Sequence, residues 1–454
     1  MRNKAVLERI RHTLITAGCT LPELGSTGER EATRRWNGAL QPQPALVARC
    51  ATTAQVSTAL RAAADAALPV SVHNGGQDWN GRSLRDDALV IDLSLMNQLS
   101  VNAMGPDATI GGGVTVGQIN EALRGSGLQA VVGNDGAVGM AGFMLGGGYG
   151  PLMNRFGMAC DNLLIAEVVL PNGNVVNCDA TENPELFWAL RGGGGNFGVV
   201  TSARIRLHAV STVAVSNIVF TWPDAHAALR RYAELMLYAP AELFGAAILT
   251  LGPGGKPVLV ISLVGADDVA FLETRSAEIT SGTVPIVVET KAVLATELLS
   301  STDGKLAQGN AYEVATRWFD RLDTVIDALI EAFDQRTSPL TSIVIHHCHG
   351  VATEVAAEAT AFGMRRPHFT TLIYGAWGPG QSDEEQHRNW VHTLDVRLVK
   401  SALPGGYANV LSDKAISQIA NAYAGNEMRL SQVKQQIDPN GTFRAIPLPR
   451  FGAV

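Results

Sequence analysis

The stretch GNDGAVGMAGFMLGGGYG, Gly133 to Gly150, holds eight glycines in eighteen residues. Gly133, Gly136, Gly139 and Gly142 recur every third residue, and Gly146, Gly147, Gly148 and Gly150 follow. Glycine loses more backbone freedom on folding than any other residue. So dense a run belongs where backbone must lie close against a partner. The period stops after four turns and lacks proline, which excludes collagen. Val138, Met140, Phe143, Met144 and Leu145 would be exposed in a flexible linker. A backbone bed for a planar ring system fits best.

A second glycine motif lies upstream, VHNGGQDWNG at 72–81. It follows PALVARC, read as a strand, then TTAQVSTALRAAADAAL, read as a helix capped by Thr52 or Thr53, then the strand 69–73. A strand–helix–strand unit therefore delivers Gly75 and Gly76 in a turn. Positive φ at such glycines lets successive N–H groups point into one concavity, and that nest suits a phosphate or pyrophosphate. A plain tight turn would use the same pair. A dinucleotide-binding G-x-G-x-x-G site is excluded, because Gly146 and Gly148 are followed by Pro151 where the third glycine belongs. No phosphate loop of the GK[ST] type occurs.

Further along, 88–101 reads as one strand and Val116–Leu123 as a helix. AEVVLPNGNVVNC reads as a hairpin with Asn172-Gly173 in its turn. NPELFWALRGGGGNFGVVTSARIRL reads as helix, glycine loop and strand. After about residue 210 glycine thins out and period-two strands such as VAVSNIVFTW and KPVLVISLVG appear. TRWFDRLDTVIDALIEAFDQR (316–336) reads as a helix among them. The expected class is α+β, with an antiparallel-sheet second domain covered by helices.

Composition narrows the function. The chain has 454 residues, is 46 % hydrophobic and 17 % charged, and has a net charge of -7. That describes an ordinary globular protein and argues against nucleic acid or an anionic membrane as partner. Glu8, Arg9, Arg11 and His12 interrupt any secretory apolar region. Five widely spaced cysteines without a CxxC pair suggest reduced thiols in a cytoplasmic protein.

These motifs, in their order, resemble the FAD-linked oxidases of the vanillyl-alcohol oxidase (PCMH-type) superfamily, in the berberine-bridge-enzyme-like group. The matching pieces include RRWNGALQPQPALVARCATTAQV, VHNGGQDWNGRSLRDDALVIDLSLMN, GAVGMAGFMLGGGYGPLMNRFGMACDNLL, NPELFWALRGGGGNFGVVT and GGYANVL. The resemblance implies a two-part FAD-binding domain, 1–210 plus 401–454, and a substrate domain at 211–400. It implies that His73, Asn74, Gly75, Gly76, Gln77 and Asp78 hold the pyrophosphate. Asp135, Val138, Gly139 and Gly142 would lie along the flavin, Gly198 and Val200 near the adenosine end, and Tyr407 and Asn409 beside the ring.

The departures carry further expectations. The family usually has a histidine bonded covalently to the flavin where Gln77 stands, and bicovalent members have a cysteine where Asp135 stands. Neither side chain replaces them chemically, so a non-covalent FAD is expected. A tyrosine often follows the Y-x-N motif and serves as base; here that place is Val410. Tyr407 and Tyr374 are the candidate catalytic residues instead. In IVIHHCHG (343–350), His347 and His349 share one strand face and His346 takes the other. The first two are candidate substrate contacts, since this sheet should roof the flavin. No carboxylate or cysteine spacing supports a metal. The expected activity is hydride transfer from a small organic, secondary-metabolite type of substrate to FAD, with dioxygen reoxidising it. A redox-neutral flavoprotein cyclase is the alternative. No pattern sets the oligomeric state.

Overall fold

The computed structural model describes residues 4–23, 25–301 and 308–449. Strand β1 (Leu46–Arg49) leads into the helix Thr53–Asp65, then β2 (Val70–His73) and β3 (Leu89–Asp92). The Thr52 hydroxyl caps the helix by accepting from the Gln55 N–H at 3.3 Å. Val56, Ala59, Leu60 and Ala63 recur at helical spacing and are buried. The three strands form a parallel sheet in the order β1-β3-β2. The chain leaves the end of β2 directly into residues 74–78.

Next come β4 (Leu99–Asn102), β5 (Asp107–Gly111), β6 (Leu128–Gln129), β7 (Leu163–Val169), β8 (Val175–Cys178), β9 (Val199–Arg206) and β10 (His208–Ala209). Five of them form an antiparallel sheet in the order β4-β5-β9-β7-β8, and β6 pairs with β10. The β7–β8 hairpin turns at Gly173, as expected, with φ at 78°. The single strand expected over 88–101 is two strands in different sheets. The buried Asp92 carboxylate accepts from the Ser94 N–H at 3.0 Å and the Ser94 hydroxyl at 2.8 Å. That local turn ends β3 before β4 begins.

The second half forms one antiparallel sheet of seven strands. They are β11 (Thr212–Thr221), β12 (Phe244–Leu251), β13 (Pro257–Gly265), β14 (Pro285–Leu294), β15 (Ala311–Phe319), β16 (Ser342–Cys348) and β17 (His368–Trp377), in the order β14-β11-β13-β12-β16-β17-β15. Helices Trp222–Leu237, Ile326–Asp334 and Glu384–Leu398 pack on one face, burying Leu259, Ile261, Ala247, Ile343, Ile345 and Ile373 among others. The alternate residues turn to the opposite face. The helix expected over 316–336 begins only at Ile326, because Thr316–Phe319 ends β15. Pairing to β17 decides this, with Arg317 opposite Thr371 and Trp318 opposite Thr370. Non-local pairing outweighs local helical spacing there.

The last fifty residues return to the first half. Helix Glu427–Ile437 lies against helix Pro184–Leu190, where Arg429 grips Glu185 through two nitrogens at 2.7 and 3.0 Å. The fold is thus an α+β region built from the two ends of the chain, with an antiparallel sheet and its helices inserted between them. Among the described residues no helix is long and apolar enough to cross a membrane.

The two faces of the inserted sheet make a direct prediction. Ile261→Ala removes side chain from the packed helix face and should cost about 2–5 kcal/mol of unfolding free energy. Val260→Ala, one residue away on the opposite face, should cost well under half as much. Urea unfolding of both variants checks the difference; equal losses would contradict the assignment of faces.

Candidate active site

Residues 74–78 turn sharply off β2. The backbone N–H groups of Asn74, Gly75, Gly76, Gln77 and Asp78 donate to no group among the described residues. Gly75 and Gly76 are nevertheless buried. Buried backbone donors are almost always paired, so the unpaired N–H groups of Gly75 and Gly76 suit an anion lodged in this turn. Gly76 has φ at 70°, and a Cβ at Gly75 would strike the Ala137 carbonyl and come within 2.6 Å of the Gly139 nitrogen. Only glycine fits there. The two glycine motifs, sixty residues apart in the chain, are therefore in backbone contact.

The second motif is only partly a bed. Met140–Leu145 is a short helix, and most of its glycines serve close packing. A Cβ at Gly146 would strike Asn409, and one at Gly150 the Val132 carbonyl. Gly142 differs, because a Cβ there would meet nothing within 4 Å. It opens onto a large cavity. The expectation of a ring bed along the whole stretch is thus narrowed to the part around Val138, Gly139 and Gly142.

That cavity has a volume of about 580 Å³, within the roughly 300–1,000 Å³ range of small-molecule sites. His73, Asn74, Gly75, Gly76, Gln77, Asp78, Asp135, Val138, Gly139, Gly142, Gly198, Val200, Tyr374, Tyr407 and Asn409 all line it. His73 is fixed from behind, its Nε2 2.8 Å from the Arg34 carbonyl oxygen. Several wall residues carried no clear signal in the sequence. Phe443–Ile446 reach the far end from the C-terminal segment. Arg82 donates to Asp78 at 2.9 Å, to the Asn409 carbonyl at 3.1 Å and to the Leu411 carbonyl at 3.4 Å. The Trp79 indole N–H donates to the Val410 carbonyl at 2.7 Å. These contacts tie the 74–82 segment to GGYANVL; an Asp–Arg pair four residues apart was the one hint of them.

The Tyr407 phenol oxygen accepts from the Gly148 N–H at 3.2 Å and from the Asn409 side-chain amide at 3.0 Å. Burial pushes its pKa up to about 12, while those two donors pull the other way. Its ring meets Tyr149 edge-on at 4.8 Å. The Tyr149 hydroxyl lies 2.8 Å from His368 Nε2, whose Nδ1 is 2.7 Å from the Arg366 carbonyl. Nδ1 therefore carries the proton, and Nε2 accepts from the tyrosine. Burial lowers the His368 pKa to about 4.

The inserted sheet roofs the cavity with the face its helices leave free. Ser342, Val344 and His346 of β16 and Thr370, Leu372 and Tyr374 of β17 line it. His347 and His349 do not. They lie on the reverse side, with their Nδ1 atoms 2.9 Å apart and His349 Nε2 3.1 Å from the Pro240 carbonyl. Asn154 braces them by donating to the Leu243 and His347 carbonyls. Burial, with His349 and His368 nearby, lowers the His347 pKa to about 2. The expected alternation was right, but the histidine that reaches the cavity is His346. Among the described residues no cluster suited to a metal ion occurs.

A long cavity with an anion nest at its wall, a glycine floor and a roof of side chains matches FAD, whose pyrophosphate and ring need those parts. A family description of an FAD binding domain matches residues 44–179. The chain is 28 % identical over 427 residues to (R)-6-hydroxynicotine oxidase of Paenarthrobacter nicotinovorans, covering 90 % of this chain and 92 % of that protein. The structure of Physcomitrella patens BBE-like 1 superposes with a TM-score of 0.88 at 21 % identity, covering 97 % of this chain and all of the other. A berberine bridge enzyme variant superposes with a TM-score of 0.84 at 18 % identity over 97 % of this chain and 100 % of that one. The chain is an FAD-linked oxidoreductase whose fold is that of the berberine-bridge-enzyme-like structures.

One expectation is corrected by these relatives. Nicotine oxidase and berberine bridge enzyme bind their FAD covalently. The non-covalent flavin was argued from two side chains alone, the amide of Gln77 and the carboxylate of Asp135. The mode of attachment among the relatives outweighs that argument, and the non-covalent mode is withdrawn. FAD itself stands.

Two histidines, buried His368 and half-buried His346, set a pH dependence. Burial lowers the pKa of His346 and His368 to about 4 each. The unfolded chain binds protons at these positions from about pH 6.5 downward, while the folded protein does not. Folding stability is therefore intact above pH 6.5 and falls as the pH drops toward 4. Each histidine should contribute about 1.4 kcal/mol per pH unit in that window. Urea midpoints between pH 7 and pH 4.5 check it; the His368→Gln variant should show a shallower slope.

Proposed function

We propose that this oxidoreductase removes a hydride from a C–H bond next to oxygen or nitrogen in a small organic molecule, with Tyr407 taking the proton. FAD supplies the hydride acceptor, and dioxygen is the final oxidant. The observation that carries the reading is the pair of N–H donors on the Tyr407 oxygen. Both oppose the burial that raises the phenol's pKa to about 12, so Tyr407 takes the substrate's proton only after its own has left, and no acceptor holds that proton among the described residues. Tyr407 can therefore exchange that proton with a substrate in the cavity. It takes over the role that the residue after Y-x-N has in related proteins, where this chain has Val410. Tyr374 hangs from the roof nearby and would orient the substrate.

The division of labour follows the chain. Residues 1–210 with 401–454 would bind FAD, and 211–400 would receive the substrate. In support, Arg82 and Trp79 bind the GGYANVL segment directly. Residues 74–78 would hold the pyrophosphate, Val138, Gly139 and Gly142 would face the ring, and Gly198 and Val200 would lie toward the adenosine. His346 replaces His347 and His349 as the substrate-facing histidine. A secondary-metabolite substrate and a cytoplasmic setting belong to the same proposal. The five cysteines are free and buried, which supports a reducing compartment. Nothing observed favours the redox-neutral alternative.

Tyr407→Phe tests the proposal. With any compound that bleaches the flavin anaerobically, the variant should reduce about 10²- to 10⁴-fold more slowly. Its flavin content should be unchanged, because phenylalanine keeps the ring in place and residues 74–78 are untouched. Reduction at the wild-type rate would remove Tyr407 from the chemistry.

A further inference from the structure

The roof of the cavity has a layered pattern that sequence reading did not anticipate. Across β16 and β17, Ser342 stands opposite Tyr374, Val344 opposite Leu372, and His346 opposite Thr370. All six line the cavity. Two polar rungs therefore flank one apolar rung. The apolar rung continues sideways, because Ile248 pairs with Val344 and Val260 with Ile248. The His346 rung continues through Ala246 to Ser262. Successive rungs on one face are two residues apart, so the polar rungs are about 13 Å apart along the strands.

Three further observations give this pattern meaning. Val344, His346, Leu372 and Tyr374 are half-buried while their chain neighbours on the helix face are fully buried, so these four open to the cavity. His346 and Tyr374 are the half-buried polar residues of this face, whereas the unpartnered hydroxyls of Ser342 and Thr370 are sealed beneath it, so His346 and Tyr374 are the groups each polar rung presents to the cavity. No Asp, Glu, Lys or Arg of the roof strands lines the cavity. Burial lowers the His346 pKa to about 4, so this imidazole is neutral near pH 7 and offers one donor and one acceptor. Unmatched polar groups at two ends, an apolar band between them and no charge describe the complement of a ligand.

We propose that the roof recognises an uncharged, elongated, ring-containing substrate with a hydroxyl or carbonyl at each end, held between the His346–Thr370 rung and the Ser342–Tyr374 rung. The apolar middle of such a molecule lies against Val344, Leu372 and Ile248. Tyr374 packs beside Trp36 and Val410, next to the Y-x-N segment, so the end held by Tyr374 is the one nearer Tyr407. A carboxylate or ammonium group finds no counter-charge on this face and would lose its hydration without compensation. A sugar chain, polar along its length, meets the apolar rung at its centre. This inference rests on the cavity being the site of oxidation, as proposed above.

Binding to the flavin-loaded protein tests it without requiring turnover. The probes are para,para′-biphenyldiol, para-phenylphenol, para,para′-biphenyldicarboxylate and xylobiose, each titrated while the flavin absorbance is followed. The diol should perturb the flavin band and bind about tenfold more tightly than the monophenol, the value of one added hydrogen bond. The dicarboxylate and the disaccharide should bind at least tenfold more weakly than the diol. His346→Leu should bring the diol down to the monophenol's affinity. Equal binding of diol and dicarboxylate, or an unchanged diol affinity in His346→Leu, would overturn the proposal. A flavin band that persists through those outcomes leaves the FAD reading standing; a protein that carries no flavin overturns that reading instead.

Discussion

The structure depends on one backbone contact. Gly75, at the end of the first parallel unit, lies against the backbone of residues 137–139, where no side chain fits. That contact brings two distant glycine motifs together. It leaves the N–H groups of 74–78 unpaired in a segment that lines the cavity, with Gly142 open nearby. Everything else about the site is arranged around this corner. Arg82 and Trp79 then clasp the C-terminal Y-x-N segment to it, and that segment carries Tyr407.

The cavity is built at the meeting of two cores. One lies under the glycine motifs and the five-stranded sheet, and the other between the seven-stranded sheet and its helices. The seven-stranded sheet is buried on its helix face and open on the other, so its period-two pattern does two jobs. Ile261, Ile343 and Ile345 hold the domain together. Val260, Val344 and His346 meet whatever lies below. Substrate preference can therefore vary on one set of residues while stability rests on the alternate set.

Much of this was legible in the residues. The parallel unit, its Thr52 cap, the hairpin at Asn172-Gly173 and the helix Val116–Leu123 follow from local signals, and the structure has each of them. The wall positions from His73 to Asp78, with Val138, Gly139, Gly142, Tyr407 and Asn409, came through the resemblance and line the cavity. What failed required knowledge of partners. The stretch Thr316–Phe319 has helical spacing but is claimed by β17. The alternation of His346, His347 and His349 was readable, whereas which face looked inward depended on where the covering helices sat. The attachment of the flavin was argued from Gln77 and Asp135 alone, and two side chains do not determine it. Phe443–Ile446 and the Tyr149–His368 pair join across more than two hundred residues and left no local pattern.

The central claim is that the unpaired N–H groups of residues 74–78 receive the pyrophosphate of FAD and that the ring lies between Gly142 and the roof strands. A crystal structure of the flavin-loaded protein tests this most directly. The account predicts pyrophosphate oxygens within hydrogen-bonding distance, about 2.7–3.2 Å, of the Gly75 to Asp78 nitrogens. It also predicts the flavin ring facing Tyr374, Leu372 and Val344. A pyrophosphate held elsewhere, with those N–H groups bound to water or still unpaired, would contradict it.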